Sequence, residues 1–313
     1  MTQHDSATWA RVLDTLLPTI HEVDRNATRI WFRFYPIALA DAFAHTDNPE
    51  KLKQTLRLDG HYRLSDQIDT SHWFFYGHRF WPQVKAAIVA RGDSSQTRAH
   101  VDLAADIRDT AKDVAAATNT EASLVIGIAA VGLMTLQQVG LAAFRSNPNM
   151  FDAPSGFARK SPAQILAARR KDDGQGLAGL LRGPEKAQYT VTFDERRSHA
   201  GFTVIKQTPL TNGSARDTRE YSTGPRRCHE GPIPVECRTA SCGTCWVGVL
   251  AGAEKLSDVE EQEAKLLQDC GYLTSVEAKP VIRLACKALA SGNVTIVIPT
   301  WNGFLVKGGL HGL

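Results

Sequence analysis

The first 227 residues of this 313-residue chain contain no cysteine, and all six cysteines lie between Cys228 and Cys286. A large excess of charge of one sign is also missing, because the formal net charge is only +3. That balance gives no indication of a nucleic-acid partner. The N-terminus lacks the basic and apolar segments of a secretory signal. We therefore expect a cytoplasmic protein, in which clustered thiols are metal ligands rather than disulfides.

Several catalytic motifs are absent as well. Before residue 185 the chain has only three glutamates, Glu22, Glu50 and Glu121, and none of them forms the Glu-x-x-His pattern of a carboxylate di-iron site. There is no dinucleotide-binding glycine fingerprint followed by an acidic residue, and no Gly-x-Ser-x-Gly nucleophile motif. We therefore predict no catalytic residues.

The N-terminal part shows helical periodicity. Between Trp9 and Val23 the apolar residues recur every three or four positions, with Pro18 as an interruption. A second apolar run covers residues 30–43, and a third covers residues 101–114. These patterns predict an all-α helical domain over residues 1–150.

Residues 122–144 form an uncharged run long enough to span a bilayer. Gln137 and Gln138 lie within it, and alanine and glycine reduce its hydrophobicity. We therefore favour a helix buried in the core over a membrane span. Three glycines would allow close helix packing or the close approach of a ligand, and they are Gly127, Gly132 and Gly140.

Residues 151–187 are rich in Gly, Pro, Arg and Lys, and we interpret them as a linker with a short helix after Ser161-Pro162. From Tyr189 the hydrophobic pattern changes to the period of two that is typical of strands, as in residues 189–193. Further β-rich segments cover residues 246–250 and 293–298. Ser257-Asp-Val-Glu260 has the pattern of a capping box that opens a short helix. We expect a small α+β domain over residues 188–313.

The cysteines follow a specific spacing, Cys237-Arg-Thr-Ala-Ser-Cys242-Gly-Thr-Cys245, with Cys286 further along the chain. Four thiolates are a usual ligand set for an iron–sulfur cluster, and Cys-x4-Cys-x2-Cys with a distant fourth Cys is the plant-type [2Fe–2S] spacing. Small residues between the cysteines would let backbone N–H groups turn towards anionic sulfurs.

On these residues, and on Arg283-Leu-Ala-Cys286 followed by 292–299, the segment from about 188 to 300 resembles the plant-type [2Fe–2S] ferredoxin family. The resemblance implies a β-grasp fold and a [2Fe–2S] cluster held by Cys237, Cys242, Cys245 and Cys286. The predicted fold class is thus an all-α helical domain followed by a β-grasp ferredoxin-like domain. The implied function is one-electron transfer, so we favour an electron carrier over an enzyme.

Other metal sites fit the cysteine pattern less well. A four-cysteine zinc site would more naturally use two Cys-x2-Cys pairs, and only Cys242 and Cys245 form one. A Rieske centre needs two histidine ligands, and no such pair accompanies these cysteines. We interpret Cys228 and Cys270 as free thiols, with ligand exchange or redox sensing as the alternative for Cys228.

Partners are predicted in less detail. We expect a redox partner protein, a reductase or oxidoreductase, for which the acidic helix at Asp258–Glu263 is a candidate contact; a solvated helix face explains these acids equally well. The helical domain would dock a partner or form a homodimer.

The aromatic segment from His72 to Pro82 contains two histidines, His72 and His78, in one neighbourhood. Histidine as axial ligand with aromatic walls could hold a haem or another planar cofactor, although such residues more often belong to a core. Three hypotheses follow: an electron carrier, a self-contained redox enzyme with this second cofactor, and an iron–sulfur redox sensor.

Overall fold

The structure is a computed structural model that describes residues 3–56, 58, 61–94, 102–148, 155–171, 187–219, 231–272 and 278–301. The chain divides into two units. The helical unit comprises Met1–Asp41 and Arg63–Pro162, and the sheet unit comprises Ala42–Tyr62 and Ala163–Leu313. Residues 42–62 thus belong with the C-terminal part of the chain, although they come from the N-terminal part.

The first half of the chain is mostly helical, as its periodicity predicts. Pro18 lies in a short 3₁₀ turn that separates the first two helices, and Pro36 separates the second from the third. The helices are α1 (Ser6–Leu16), α2 (Glu22–Phe34), α3 (Ile37–His45), α4 (Pro49–Thr55), α5 (Trp81–Ser94), α6 (Leu103–Thr118), α7 (Ile126–Ser146), α8 (Ser155–Ala158) and α9 (Pro162–Arg170).

Helix α7 is the centre of the helical unit and packs against α2, α5 and α6. Every residue from Ile126 to Leu136 is buried. A Cβ atom at Gly127 would lie 2.6 Å from the hydroxyl oxygen of Thr28, and one at Gly132 would lie 2.5 Å from Ile88. These two glycines therefore let neighbouring helices approach closely.

Helix α7 also breaks at Gly140, whose backbone angles are φ 80° and ψ 158°. Among the described residues it is the one helix long and apolar enough to be a candidate membrane span, and most of it is buried within the protein. The regular part before the break has roughly 14 residues, about 21 Å, whereas a hydrocarbon core is about 30 Å thick. The burial and the break agree with a core helix.

The sheet unit contains a five-stranded mixed sheet in the order β2-β1-β5-β3-β4. Strands β1 and β2 form an antiparallel hairpin, β1 and β5 are parallel, and β3 pairs antiparallel with both β5 and β4. The strands are β1 (Gln188–Thr192), β2 (Gly201–Ile205), β3 (Trp246–Ala251), β4 (Ile282–Leu284) and β5 (Val294–Val297). Strand β1 buries alternate residues, while every residue of β4 and β5 is buried.

Of the described α-helices, four belong largely or wholly to the sheet unit: α4, α9, α10 (Leu210–Ser214) and α11 (Glu261–Asp269). Arg169 of α9 forms a bidentate ion pair with Glu195, with N–O distances of 2.7 and 3.0 Å. The helix predicted inside the linker is thus joined to the sheet unit. Residues 172–186 of that predicted linker lie outside the described residues.

Helix α11 begins three residues later than the capping-box pattern predicts. Ser257 does not cap it, because its hydroxyl donates to the carbonyl of Lys287 and accepts from the N–H of Leu289. The backbone N–H of Ser257 also bonds the carbonyl of Leu289. Pairing with residues 287–289 therefore takes the side chain that the local pattern assigns to the helix.

Candidate metal centre

Three of the four cysteines predicted as ligands lie in one loop, which we call the cysteine loop, residues 237–245. Cys245 is its last residue and directly precedes β3. The fourth, Cys286, follows β4 by two residues. Because Trp246 pairs with Leu284, and the N–H of Ala285 donates to the carbonyl of Cys245 at 2.9 Å, the sheet brings Cys245 next to Cys286.

The four thiols lie in two hydrogen-bonded pairs. The side chains of Cys245 and Cys286 are hydrogen-bonded to each other, and so are those of Cys242 and Cys237. Within the residues that the structure describes, no group of three His, Cys, Asp or Glu side chains surrounds a single metal position. Two pairs of sulfurs suit a binuclear cluster, in which each iron takes two thiolates, better than the single tetrahedral position of a zinc site.

The backbone of the cysteine loop turns N–H groups towards sulfur. Thr239 and Ser241 each donate an N–H to the sulfur of Cys237 at 3.4 Å, and the N–H of Ala240 bonds to Cys286. This geometry requires left-handed backbone at three positions, with φ 55° at Arg238, 58° at Ala240 and 68° at Gly243. Only the last of these is a glycine, so the loop keeps its conformation against the steric preference of two other residues.

A threonine hydroxyl supplies a further donor. Thr244 is buried, its Oγ1 accepts the N–H of Glu236 at 3.1 Å, and the same oxygen lies 3.2 Å from the sulfur of Cys242. When Cys242 is a metal-bound thiolate it can only accept, so the hydroxyl of Thr244 is then the donor in this contact. The loop thus donates to Cys237, Cys242 and Cys286.

The pKa values of the four thiols follow this pairing. Burial alone would raise the pKa of Cys237, but hydrogen bonds from Ser241, Cys242 and Thr239 lower it to about 5. Burial raises the pKa of Cys242. The hydrogen bond to Cys286, together with burial, raises the pKa of Cys245, and the same bond lowers that of Cys286. Each pair therefore has one cysteine whose pKa is lowered and one whose pKa is raised, and binding a metal centre through all four sulfurs would release the protons that they carry.

Solvent reaches this site from one side. Cys237 is half-buried, whereas Cys242, Cys245 and Cys286 are buried. Arg238, Thr239 and Ser241 are exposed on the loop. An anionic iron–sulfur cluster with one edge near solvent fits this site, because four sulfurs are available as ligands, the N–H groups of the loop point towards sulfur, and three of the four cysteines are buried.

Glu263 and Arg283 are buried beside this site. Glu263 belongs to the segment predicted as a partner contact, but its exposed fraction is 0% and that of Arg283 is 1%. Glu263 shares one face of α11 with Leu266, Leu267 and Cys270, all of which are buried. That three-and-four spacing was the signal for burial, and the negative charge obscured it.

The other acids of the predicted contact helix are largely paired. Asp258 lies 2.8 Å from Lys279, and Glu260 lies 3.2 Å from Lys287. The surface around the start of α11 is therefore less acidic than its sequence indicates.

The two histidines predicted for a second cofactor do lie together in the helical unit. Their Nδ1 atoms are 2.8 Å apart, both side chains are buried, and the ring of His72 lies 4.1 Å from that of Trp81. Burial, followed by the nearby His78, lowers the pKa of His72 well below its ordinary value. His72 Nε2 makes no hydrogen bond of good geometry within the described residues.

Of the two cysteines that are not predicted ligands, only Cys270 lies within the described residues. Cys270 is buried at the end of α11 and forms no disulfide. Cys228 lies outside the described residues.

Comparison with known proteins bears on the C-terminal part alone. Residues 214–291 match the family model described as the 2Fe-2S iron-sulfur cluster binding domain, and the N-terminal region matches no family model. No curated protein and no solved structure matches the chain. The matched residues contain the whole cysteine loop and Cys286, so the C-terminal part of this chain is a 2Fe-2S iron-sulfur cluster binding domain, and its cofactor is a [2Fe–2S] cluster.

Proposed function

We propose that this protein transfers single electrons through a plant-type [2Fe–2S] cluster bound by Cys237, Cys242, Cys245 and Cys286. The observation that carries the proposal is the pairing of the four sulfurs, two and two, beneath the N–H donors of the cysteine loop. We further propose that the mixed sheet, with its parallel β1–β5 pair between two antiparallel pairs, is a β-grasp.

The residues of the site have distinct roles in this function. When bound, the cluster supplies a one-electron couple whose net charge changes from about −2 to about −3. The N–H groups of Thr239, Ser241 and Ala240 and the hydroxyl of Thr244 stabilise the added negative charge. The four thiolates leave no open coordination position, which favours electron transfer over substrate binding.

Partner docking is part of the same proposal. Electrons would enter and leave at the edge of Cys237, which is the most exposed of the four cysteines. Docking on the Asp258–Glu263 segment remains a prediction; since three of its acids are engaged by Lys279, Lys287 and Arg283, we expect only weak salt dependence there. A role of the helical domain in docking or dimerisation, and the cytoplasmic location, are likewise predictions.

Cysteine variants test the ligand set. We expect wild-type protein, purified without oxygen, to contain two irons and two sulfides per chain and to absorb broadly in the visible range. Changing any one of Cys237, Cys242, Cys245 or Cys286 to serine should abolish or strongly alter that absorbance. Cys270→Ser is the matched control, because Cys270 is as buried as Cys242, Cys245 and Cys286 but is not a predicted ligand, and it should keep the full spectrum.

Two results would refute the assignment. One is wild-type protein without iron. The other is an unchanged spectrum in any of the four serine variants.

The second candidate function is a redox enzyme with a planar cofactor at His72. The observation that favours it is the buried Nε2 atom, which makes no hydrogen bond of good geometry within the described residues, since an unsatisfied buried group costs about 1–3 kcal/mol. A haem would add an intense Soret band to the same spectrum, and its loss in His72→Ala but not in Cys237→Ser would support this candidate. The sensor hypothesis predicts instead that cluster reduction changes partner binding by about tenfold or more, roughly 1.4 kcal/mol.

A further inference from the structure

Strand β4 is an edge strand of the described sheet, and it leads directly to Cys286. The N–H of Leu284 pairs with no strand there; it donates to Oε1 of Glu263 at 2.8 Å. The carboxylate of α11 thus takes the place that a further strand would take. This contact fixes the backbone two residues before a predicted ligand.

The same carboxylate holds Arg283. Nε and Nη2 of the guanidinium donate to Oε1 and Oε2 of Glu263 at 2.8 and 2.9 Å, and Nη1 donates to the carbonyl of Ser257 at 2.7 Å. The pair therefore ties together the start of α11, the segment before it and β4. Directly after β4, the N–H of Ala285 donates to the carbonyl of Cys245.

A buried ion pair of this kind contributes little net stability compared with apolar side chains of similar volume. Its opposite charges do, however, act at short range in an interior where solvent does not screen them. Because the cluster becomes more negative on reduction, an uncompensated charge at this position would move its potential.

We propose that Glu263 and Arg283 are positioning residues for Cys286 and that each compensates the buried charge of the other, so that neither charge shifts the reduction potential of the cluster. This inference rests on the proposed electron-transfer function. Glu263 orients the ligand strand through Leu284, and Arg283 compensates the carboxylate. Neither residue is a ligand.

Two variants of the full-length protein test the balance. Glu263→Gln keeps the shape of the side chain and leaves the charge of Arg283 uncompensated. It should favour the reduced cluster by about tenfold, a shift of about +59 mV for a one-electron couple. The double variant Glu263→Gln/Arg283→Met removes both charges, and its potential should return to within about threefold of the wild-type equilibrium, about 28 mV.

The exposed pair Glu260–Lys287 provides the control, because Lys287 follows Cys286 directly while Glu260 is 60% exposed. Glu260→Gln removes the same charge where solvent screens it, and the shift should stay below threefold. Loss of the cluster from Glu263→Gln with retention in the double variant also supports the proposal, since only the uncompensated charge is then harmful.

Three outcomes overturn the inference. They are a shift below threefold in Glu263→Gln, an equal shift in the double variant, and loss of the cluster from both variants. If the pair were merely structural, both variants would lower the temperature at which the visible absorbance bleaches. The reduction potential would then not shift in Glu263→Gln and return in the double variant. Wild-type protein without a cluster would refute the proposed function itself. That result can be distinguished from a failure of this inference, in which the wild-type protein keeps its cluster.

Discussion

At the scale of single residues, the cysteine loop depends on backbone conformations that its side chains do not favour. Ala240 has φ 58° and is buried, and its N–H bonds to Cys286. Alanine tolerates this conformation at a cost of about 1–2 kcal/mol. A β-branched residue is a much poorer fit, because its second Cβ substituent restricts both χ1 and the backbone.

Ala240→Val should therefore destabilise the loop by about 1–3 kcal/mol, and it should lower the temperature at which the cluster absorbance bleaches. Ala240→Gly is the matched control and should retain the cluster, because glycine adopts positive φ without steric cost. Thermal bleaching of the two variants, followed in the visible range, measures the difference. Equal bleaching temperatures would show that the left-handed conformation does not matter for cluster retention.

The spacing of the cysteines was readable from the chain, because three thiols within nine residues are constrained to one loop. The role of Glu263 was not, because a glutamate near the start of a helix normally lies in solvent. Only the packing of α11 on β4 shows that this carboxylate is buried and holds Arg283.

At the scale of secondary-structure elements, helix α7 shows what a single glycine can do. Gly140 has φ 80° and ψ 158°, a region that is almost restricted to glycine. Its Cβ position is open, with nothing within 4 Å. The break directs the following residues so that Phe144 packs edge-on against Trp81 at a centroid distance of 5.8 Å.

Gly140→Ala should lower the free energy of unfolding by about 1–3 kcal/mol through backbone strain alone, since the substitution creates no clash. Gly92→Ala in α5 is the control; its Cβ would meet Leu141 at an ordinary 3.4 Å, and we expect it to be neutral or stabilising by about 0.5–1 kcal/mol. Denaturant unfolding followed by helical circular dichroism compares the two. A stable Gly140→Ala variant would indicate that α7 straightens at little cost.

The hydrophobic period predicted the mostly helical first half, and it predicted strands at β1, β3 and β5; the structure confirms these features and adds β2 and β4. The capping box at Ser257 was wrong because residues 287–289 compete for the same side chain and backbone. A local sequence pattern depends only on neighbouring residues. It therefore does not predict a contact with residues about thirty positions further along the chain.

At the scale of the whole molecule, residues 42–62 belong to the sheet unit although their sequence continues the helical part. Within that unit the hydroxyl of Thr300 donates to the carbonyl of His61 at 2.7 Å, and the N–H of His61 donates to the carbonyl of Thr300 at 3.3 Å. The composition of residues 42–62 did not predict that they associate with the sheet unit. The predicted domain boundaries at residues 150 and 188 remain predictions.

Thr300→Val removes the hydroxyl and should weaken the attachment of His61 by about 0.5–1.5 kcal/mol. Thr300→Ser keeps the hydroxyl and serves as its control. Amide hydrogen exchange at His61 and Tyr62 should become faster in the valine variant only. Unchanged exchange would mean that other contacts of residues 42–62 hold the segment in the sheet unit.

The sequence by itself determined the helical character of the first half, the strands that follow Tyr189, and the spacing that predicts a binuclear iron–sulfur centre. These features are local, because periodicity and the spacing of ligands within one loop act over a few neighbouring residues. The tertiary structure decided which thiols pair, where Glu263 lies, where α7 bends and to which unit residues 42–62 belong. Each of these depends on contacts between segments far apart in the chain, and their free energy appears only when the folded core excludes water.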